Sequence, residues 1–433
     1  MENFIVDGVL SLKFDIFQAA ALGAIVYYTG VWLRLKIPVL IKLSIPAPVI
    51  GGLPIAIITA ILSAKRIVHF EFDNTLQNVF MICFFCTVGM NASYKLVIKG
   101  GILIAAFWGV SALVALLQNC IGIPIALAFG LNPLMGLIGG SIPMIGGLGT
   151  AGAFGALFEN EYGIPGALSA AVACATFGMV AGSLVGGPLG EWIIKRHKLT
   201  TPQTIKQASL LELHTEQEQN ALLEEVGEIA KTSAPADPIS DDHEDKVSGP
   251  HLMKNISWLL VAVGVGSALS YYLKDAGLTL PPYIGAMIAA IVIRNFGDKS
   301  GLYIIDSKAI GMIGDITLAL FITMAINSLE LASLVNLALP LIVMMVLQIV
   351  LIVISAYFLV FRLFGKNYDS AVMAAGLCGF GLGATPNALV CMQVITKKHG
   401  ASGKAFFVIP IVGSFIVDVS NTGVISILAG LFR

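Results

Sequence analysis

Two glycine-rich stretches decide the fold of this chain: Gly146-Gly147-Leu148-Gly149-Thr150 in the first half, and Gly379-Phe380-Gly381-Leu382-Gly383-Ala384-Thr385-Pro386 in the second. Each lies in the middle of an apolar stretch, 133–158 or 369–396, that has the length of a membrane span. In a helix interior a glycine costs about 1 kcal/mol and a proline about 3 kcal/mol relative to alanine. We therefore predict that both stretches break at mid-depth and form re-entrant hairpins, because broken backbone at that depth must be buried by protein or lined by water.

The composition around these stretches is that of a membrane protein. Of the 433 residues, 57% are hydrophobic and 12% are charged, and the mean hydropathy is +0.89. Soluble domains carry about 25% charged residues, so a soluble globular domain is excluded. The formal net charge of −1 comes with no cluster of Lys and Arg suited to phosphate groups, and no nucleic-acid partner is expected.

Ten further apolar stretches predict membrane-spanning helices, since a bilayer core about 30 Å thick needs roughly 20 apolar helical residues. They lie at 14–35, 46–64, 74–93, 101–130, 165–195, 252–273, 280–293, 309–327, 333–362 and 402–432. A polar linker, 197–250, follows the fifth span and holds eleven of the 26 Asp and Glu residues. The predicted fold is an all-α polytopic membrane protein with two transmembrane domains, 1–196 and 251–433.

The distribution of Lys and Arg predicts the orientation of the chain. With the N-terminus outside and neither hairpin crossing the membrane, twenty of the 25 Lys and Arg residues fall on the inner side, as the positive-inside rule requires. Both chain ends are then outside, and the linker is cytoplasmic. Its part from 233 to 249 is rich in Pro, Ser and Asp, a composition typical of a disordered tether.

The two halves share short patterns at a shift of about 234 residues. The matched stretches include Pro48-Val49-Ile50-Gly51 with Pro282-Tyr283-Ile284-Gly285, Gln118 with Gln348, and Gly147-Leu148-Gly149 with Gly381-Leu382-Gly383. Because five spans per half is an odd number, the second repeat is predicted to be inverted in the membrane. Inverted repeats with paired broken segments are typical of secondary transporters, in which the breaks mark the binding site.

The two glycine-rich tips predict a binding site for an anion. A helix that begins at mid-depth presents free N–H groups and about +0.5 of an elementary charge, and glycine lets the backbone approach a ligand closely. The predicted substrate-binding residues are Gly147, Gly149, Thr150, Gly381, Gly383 and Thr385. The alternative role of these glycines is close helix packing.

One carboxylate deep in the last predicted span indicates a cation site. Asp418 lies 14 residues after Lys404 and 15 before Arg433, which places it roughly 21 Å from either flank of the span. A buried carboxylate without a basic partner needs a proton or a metal cation, and hard cations such as sodium favour oxygen ligands. The predicted sodium ligands are Asp418, Asn421, Thr87, Asn91 and Gln118. The alternatives are a permanently protonated Asp418 and, for the neutral residues, hydrogen bonding between helices.

The residues required by an enzyme are not found. The six His residues fall in loops or in the linker, no span holds paired carboxylates, and the glycines near residue 381 have no βαβ unit around them. A channel would need a continuous polar stripe or a charged ring, which is also not visible. We therefore predict a transporter with no cofactor, for which sodium is the coupling ion.

Several motifs also resemble those of the bacterial sodium/glutamate symporter family. They are Ile45-Pro46-Ala47-Pro48-Val49-Ile50-Gly51-Gly52, Phe84-Phe85-Cys86-Thr87-Val88-Gly89-Met90-Asn91-Ala92, Ala173-Cys174-Ala175-Thr176-Phe177-Gly178, Gly187-Pro188, Gly365-Lys366-Asn367-Tyr368-Asp369 and the second tip, Cys378 to Pro386. The resemblance covers nearly the whole chain outside the linker. It implies a homodimer in the bacterial inner membrane that couples sodium entry to glutamate uptake, with a transport domain sliding against a fixed scaffold.

The resemblance extends to the predicted site, with two departures. Asp418, Asn421 and both tips match the family's pattern, but family members carry a His where this chain has Leu148 and another where it has Leu377. Glutamate is the expected substrate. A dicarboxylate or another small organic anion is the alternative.

Overall fold

A computed structural model describes residues 2–6, 9–42, 45–65, 67–202, 249–275, 282–329 and 334–432. The helices of the first half are α1 (Ile16–Lys36), α2 (Pro38–Lys42), α3 (Ala47–Ala64), α4 (Thr75–Asn91), α5 (Tyr94–Ala128), α6 (Pro133–Ile138), α7 (Gly147–Asn160) and α8 (Ala167–His197). The predicted linker falls mostly outside the described residues, at 203–248.

The second half continues with a matching run of helices. They are α9 (Gly249–Asp275), α10 (Pro282–Ser300), α11 (Ser307–Asn327), α12 (Leu334–Ser355), α13 (Tyr368–Gly381), α14 (Thr385–His399), α15 (Gly403–Ile411) and α16 (Val417–Leu431). Two π-helical stretches, Ala356–Phe361 and Val412–Ile416, continue α12 and join α15 to α16.

Every stretch predicted to span the membrane is occupied by helix. Among the described residues, six helices are long and apolar enough to cross a bilayer: Ile16–Lys36, Gly101–Ala128, Ala167–His197, Leu252–Tyr272, Ser307–Asn327 and Leu337–Phe361. Three shorter apolar helices, Ala47–Ser63, Thr75–Asn91 and Val417–Leu431, coincide with further predicted spans. The chain is therefore an α-helical, multi-pass membrane protein.

A small sheet near the N-terminus departs from the all-α prediction. β1 (Glu2–Val6) pairs antiparallel with β2 (Val9–Phe14), and β2 pairs in parallel with β3 (Val68–Phe72) between α3 and α4. The rings of Phe14 and Phe72 stack with their centroids 5.1 Å apart. Strands this short leave little signal beside apolar stretches of roughly 20 residues, so the hydropathy pattern does not reveal them.

The helices pack as two bundles, and each bundle takes helices from both halves of the chain. The first bundle contains α1, α3, α4, α9, α10 and α11, and the second contains α5 to α8 and α12 to α16. Helices α4 and α11 of the first bundle meet α7, α16 and the π-helix before α16. The chain passes between the bundles three times, from α4 to α5, from α8 to α9 and from α11 to α12. Both broken stretches therefore belong to the second bundle.

Glycines make the closest helix crossings in the first bundle. A Cβ built on Gly51 of α3 would lie 2.0 Å from the carbonyl oxygen of Val26 in α1. A Cβ built on Gly285 of α10 would lie 2.4 Å from the carbonyl oxygen of Gly266 in α9. Only glycine permits such an approach of two backbones. Gly51 and Gly285, which are matched in the sequence, thus both lie at helix crossings.

Candidate functional site

The first broken stretch separates α6 from α7. Residues 139–146, called here the first break, form consecutive turns that are almost entirely buried, and α7 begins at Gly147. Gly147 has a φ of +64°, a backbone conformation that glycine adopts without strain. The predicted tip, 146–150, is thus mostly the first turn of α7. The helix breaks earlier because Pro143 has no N–H to donate and Gly139 and Gly140 are poor helix formers.

The second broken stretch separates α13 from α14. Helix α13 ends at Gly381 and α14 begins at Thr385. Residues 382–384 between them are called here the second break. The Asn387 side chain fixes the start of α14 on α8, because its Nδ2 donates to the carbonyl oxygen of Met179 at 2.8 Å. The residues at the N-caps of α7 and α14, Gly146 and Ala384, provide no side-chain cap. Among the described residues, no N-cap side chain therefore occupies the N–H groups at the beginning of either helix.

The two breaks lie against each other. A Cβ built on Gly147 would lie 2.6 Å from the carbonyl oxygen of Gly383 and 3.9 Å from the Cβ of Ala384. The beginning of α7 therefore meets the beginning of α14. Two helix N-termini at one place combine their partial positive charges and their free backbone donors, which suits a ligand with carboxylate groups.

Most of the predicted substrate-binding residues lie around this junction. Thr150 is buried, and its Oγ1 would lie 2.7 Å from a Cβ built on Gly146. Thr385 Oγ1 would lie 3.0 Å from a Cβ built on Gly413. The exception is Gly149. Its built Cβ would lie 2.5 Å from Cε1 of Phe84 in α4, so this glycine faces the first bundle.

Buried carboxamides hold the backbone of both breaks. Gln118 Nε2 of α5 donates to the carbonyl oxygen of Gly381 at 2.8 Å, and Gln348 Nε2 of α12 donates to that of Gly139 at 3.1 Å. Asn421 Nδ2 of α16 donates to the carbonyl oxygen of Ser141 at 3.0 Å. A buried carbonyl without a donor is costly, so Gln118 and Gln348 stabilise backbone where no helix can do so. The carbonyl oxygen of Ser141 also accepts from Gly146 N at 3.0 Å.

The predicted sodium ligands divide between the two bundles. Gln118 and Asn421 belong to the second bundle and contact the breaks, as described above. Thr87 and Asn91 belong to α4 of the first bundle, where Thr87 Oγ1 donates to the carbonyl oxygen of Phe84 at 2.7 Å. No hydrogen bond among the described residues joins the side chain of Thr87 or Asn91 to a break.

Asp418 is a half-buried residue in the first turn of α16. None of the ion pairs in the described part of the chain includes it. In the same part, no three His, Cys, Asp or Glu side chains cluster as a metal site. A cation bound near Asp418 would therefore find one carboxylate and, otherwise, neutral oxygen atoms.

Two polar residues at this site are not singled out by the sequence. Ser141 lies in the first break and Thr422 follows Asn421 in α16, and both side chains are fully buried. Small hydroxyl residues are common at helix interfaces in membranes, so their type alone gives no signal. The position of Thr422 one turn after Asp418 is the only sequence feature that distinguishes it.

A polytopic helical protein in which two uncapped helix beginnings meet inside one bundle has the architecture of a secondary transporter. The family model for the sodium/glutamate symporter matches residues 12–401. A sodium/glutamate symporter of Haemophilus influenzae is 32% identical over 418 residues, which are 96% of this chain and 98% of that protein. One of Escherichia coli is 36% identical over 388 residues, 89% of this chain and 90% of that protein. The chain belongs to the sodium/glutamate symporter family.

The relatives are named as transporters, which confirms the prediction of a transporter rather than an enzyme. Among solved structures, a sodium proton antiporter of Methanocaldococcus jannaschii at pH 8 aligns with 97% of this chain and 98% of its own. The TM-score is 0.38 and the identity 14%. A score at this level does not establish a common fold.

Proposed function

We propose that this protein is a symporter that couples sodium entry to the import of glutamate across the bacterial inner membrane. Membership of the sodium/glutamate symporter family supports both the ion and the substrate. The observation that carries the proposal is the meeting of α7 and α14 at Gly147 and Gly383. Glutamate has two carboxylates, and each of the two helix N-termini provides backbone donors for one of them.

A dicarboxylate is the second candidate substrate, and one observation favours it. Leu148 and Leu377 are both buried, and neither side chain has a polar atom to offer a ligand. Recognition then rests mainly on backbone N–H groups, which bind a carboxylate whether or not an ammonium group is attached. The choice between glutamate and a simple dicarboxylate depends on whether an acceptor near the junction of α7 and α14 also contacts the ammonium of the substrate.

The two transmembrane domains, 1–196 and 251–433, form inverted repeats in this proposal, and each contributes a re-entrant hairpin, 133–158 or 369–396. The matched residues Gly51 and Gly285 support it, because both lie at crossings between corresponding helices. The matched residues Gln118 and Gln348 support it as well, since each holds the break of the other half. With five spans per repeat, both termini are outside and the linker 197–250 is cytoplasmic.

Transport in this proposal follows an elevator mechanism, in which the second bundle moves along the first. Both breaks and the carboxamides that hold them belong to the second bundle, so the site can move as one unit. Small residues line the contact between the bundles: a Cβ built on Gly152 of α7 would lie 2.6 Å from Cζ of Phe321 in α11. Gly101, where α5 bends with a φ of +58°, lies close to one of the three connections between bundles. The first bundle is then the fixed scaffold and the dimerisation domain.

Uptake of radiolabelled glutamate into proteoliposomes tests the proposed function. We expect uptake against the glutamate gradient when sodium is higher outside, and none when potassium replaces sodium. Unlabelled glutamate, aspartate and dicarboxylates are then compared as competitors. Uptake that does not depend on the sodium gradient contradicts the coupling. Competition by a dicarboxylate at lower concentrations than by unlabelled glutamate favours the second candidate substrate.

A further inference from the structure

Several buried side-chain atoms around the first break have no hydrogen-bond partner in the described part of the chain, Gln348 Oε1 and Asn119 Nδ2 among them. Three more are oxygen atoms of the break and of α16. They are Ser141 Oγ, Asn421 Oδ1 and Thr422 Oγ1. The three residues are 0%, 1% and 1% exposed, so bulk water does not reach them. A buried acceptor without a donor is unfavourable, and such atoms in one place indicate that something else satisfies them.

A hydrogen bond joins α16 to the first break through Asn421 and Ser141. Asn421 Nδ2 donates to the carbonyl oxygen of Ser141 at 3.0 Å, and Thr422 is the next residue of the helix. The other side of Ser141 is fixed by Asn119, whose Oδ1 accepts from Ser141 N at 2.9 Å. Because Nδ2 of Asn421 is already bound, its Oδ1 remains as the free end of the amide.

A carboxyl group lies on the same face of α16. Asp418 precedes Asn421 by three residues and Thr422 by four, the spacings at which helical side chains are neighbours. Asp418 is half-buried, and none of the ion pairs among the described residues includes it. One carboxylate beside neutral hydroxyl and amide oxygens balances a single positive charge.

We propose that a coupling sodium ion binds between the first break and α16, with Asp418, Asn421, Ser141 and Thr422 as its side-chain ligands. This inference rests on the proposed sodium-coupled transport and adds Ser141 and Thr422 to the ligands. Sodium, a hard cation, favours such oxygen atoms and satisfies several of them at once. A proton on Asp418 would provide a donor for one acceptor only.

At this location, sodium would also promote substrate binding. All four ligands belong to the second bundle, so the ion and the substrate move together, whereas Thr87 and Asn91 belong to the first bundle. Ser141 lies in the break that leads directly into Gly147 and α7. Sodium bound at Ser141 fixes the backbone from which the N–H groups of α7 reach the substrate. By linkage, the substrate then strengthens sodium binding by the same factor.

The thermal stability of the purified full-length protein tests the site without measuring transport. The unfolding temperature is followed against sodium concentration, with choline replacing sodium at constant ionic strength and with no glutamate present. We expect sodium to raise the unfolding temperature of the wild type. Ser141→Ala and Thr422→Val should each need about tenfold more sodium for the half-maximal shift, and Thr422→Ser, which keeps the hydroxyl, should behave as the wild type.

Ser169→Ala is the matched control. Ser169 is also 1% exposed, also has a partnerless Oγ among the described residues, and lies in α8 of the same bundle, away from α16. Its sodium titration should equal that of the wild type. If Ser141→Ala and Thr422→Val need the same sodium concentration as the wild type for the half-maximal shift, the proposed site is overturned. This holds even if uptake by the wild type is driven by sodium. If lower pH raises the unfolding temperature and sodium does not, the sodium site is overturned in favour of a proton on Asp418.

The result for the wild type separates this inference from the proposed function. Uptake that does not depend on sodium, together with no stabilisation by sodium, overturns the coupling itself and the site with it. Sodium-driven uptake with unchanged titrations in both variants overturns the site alone. Both variants are checked by size-exclusion chromatography, and Thr422→Val keeps the shape of Thr422, so a folding defect is distinguished from a lost ligand.

Discussion

Gln348 donates a hydrogen bond to the backbone carbonyl of Gln118 at 2.9 Å, and these two residues are matched by the shift that relates the two halves of the sequence. Gln118 in turn holds Gly381 beside the second break, and Gln348 also holds Gly139 in the first. Each half of the chain thus supplies the amide that stabilises the broken backbone of the other half. The two breaks are therefore kept together by side chains in the centre of the second bundle.

Replacing Gln118 by Leu should destabilise the protein and reduce uptake. The variant leaves the buried carbonyl of Gly381 without its donor, at a cost of about 1–3 kcal/mol, and releases the second break. The measurements are the thermal unfolding temperature and glutamate uptake. Gln393→Leu is the control, because the half-buried Gln393 side chain makes no hydrogen bond among those described. Equal unfolding temperatures for Gln118→Leu and the wild type would show that this bond does not stabilise the break.

Two glycines of α7 should affect transport differently when changed to Ala. Gly147→Ala puts a Cβ 2.6 Å from the carbonyl oxygen of Gly383 at a φ of +64°, so we expect about tenfold more glutamate for half-maximal uptake. Gly149→Ala puts a Cβ 2.5 Å from the Phe84 ring of the other bundle, so the maximal rate should fall without a change in half-saturation. Gly109→Ala, in open space on α5, is the control. The reverse pattern would assign Gly149 to the substrate.

A reversible cross-link between the bundles should stop transport. Gly152→Cys and Phe321→Cys are combined in a protein without its native cysteines, since Gly152 lies against the Phe321 ring across the interface. A bifunctional methanethiosulfonate should block uptake, and a reducing agent should restore it. Trp258→Cys with Tyr303→Cys is the control within the first bundle, where these rings stack with centroids 4.0 Å apart. Normal uptake by the cross-linked Gly152 pair would contradict movement between the bundles.

Cysteine labelling tests the inverted topology. Glu161 and Lys397 are both exposed, near the ends of α7 and α14. In intact cells an impermeant thiol reagent should modify Glu161→Cys, whereas Lys397→Cys should react only after the membrane is opened. Labelling of both from the same side would contradict the inversion of the repeats.

Introducing His at the two departures from the family pattern tests what selects the substrate. Leu148 is 8% exposed beside the junction of α7 and α14, and Leu377 is 0% exposed in α13. A His at either position adds a hydrogen-bonding ring that the chain now lacks. We expect Leu148→His and Leu377→His to change the preference among glutamate, aspartate and simple dicarboxylates. An unchanged preference in competition assays would place substrate selection elsewhere.

The positions of the helices, and the residues near which they break, can be predicted from local sequence alone. Hydropathy and the helix preferences of glycine and proline are properties of a short segment, so they are readable without the fold. This is why every predicted span is helical and why α13 ends within the second glycine-rich stretch. The sequence defines the first break less sharply, because Gly139, Gly140 and Pro143 disfavour a helix as Gly147 and Gly149 do, only a few residues away.

Which of these segments meet depends on how the helices pack in space. The contact of Gly147 with Gly383, the division into two bundles and the orientation of Gly149 toward Phe84 depend on helices far apart in the chain. The same is true of Ser141 and Thr422. Their types are ordinary in a membrane helix, and they become candidate ligands only because packing buries their oxygen atoms without a partner. Whether a polar atom is satisfied depends on its neighbours in space, and these are fixed by packing rather than by local sequence.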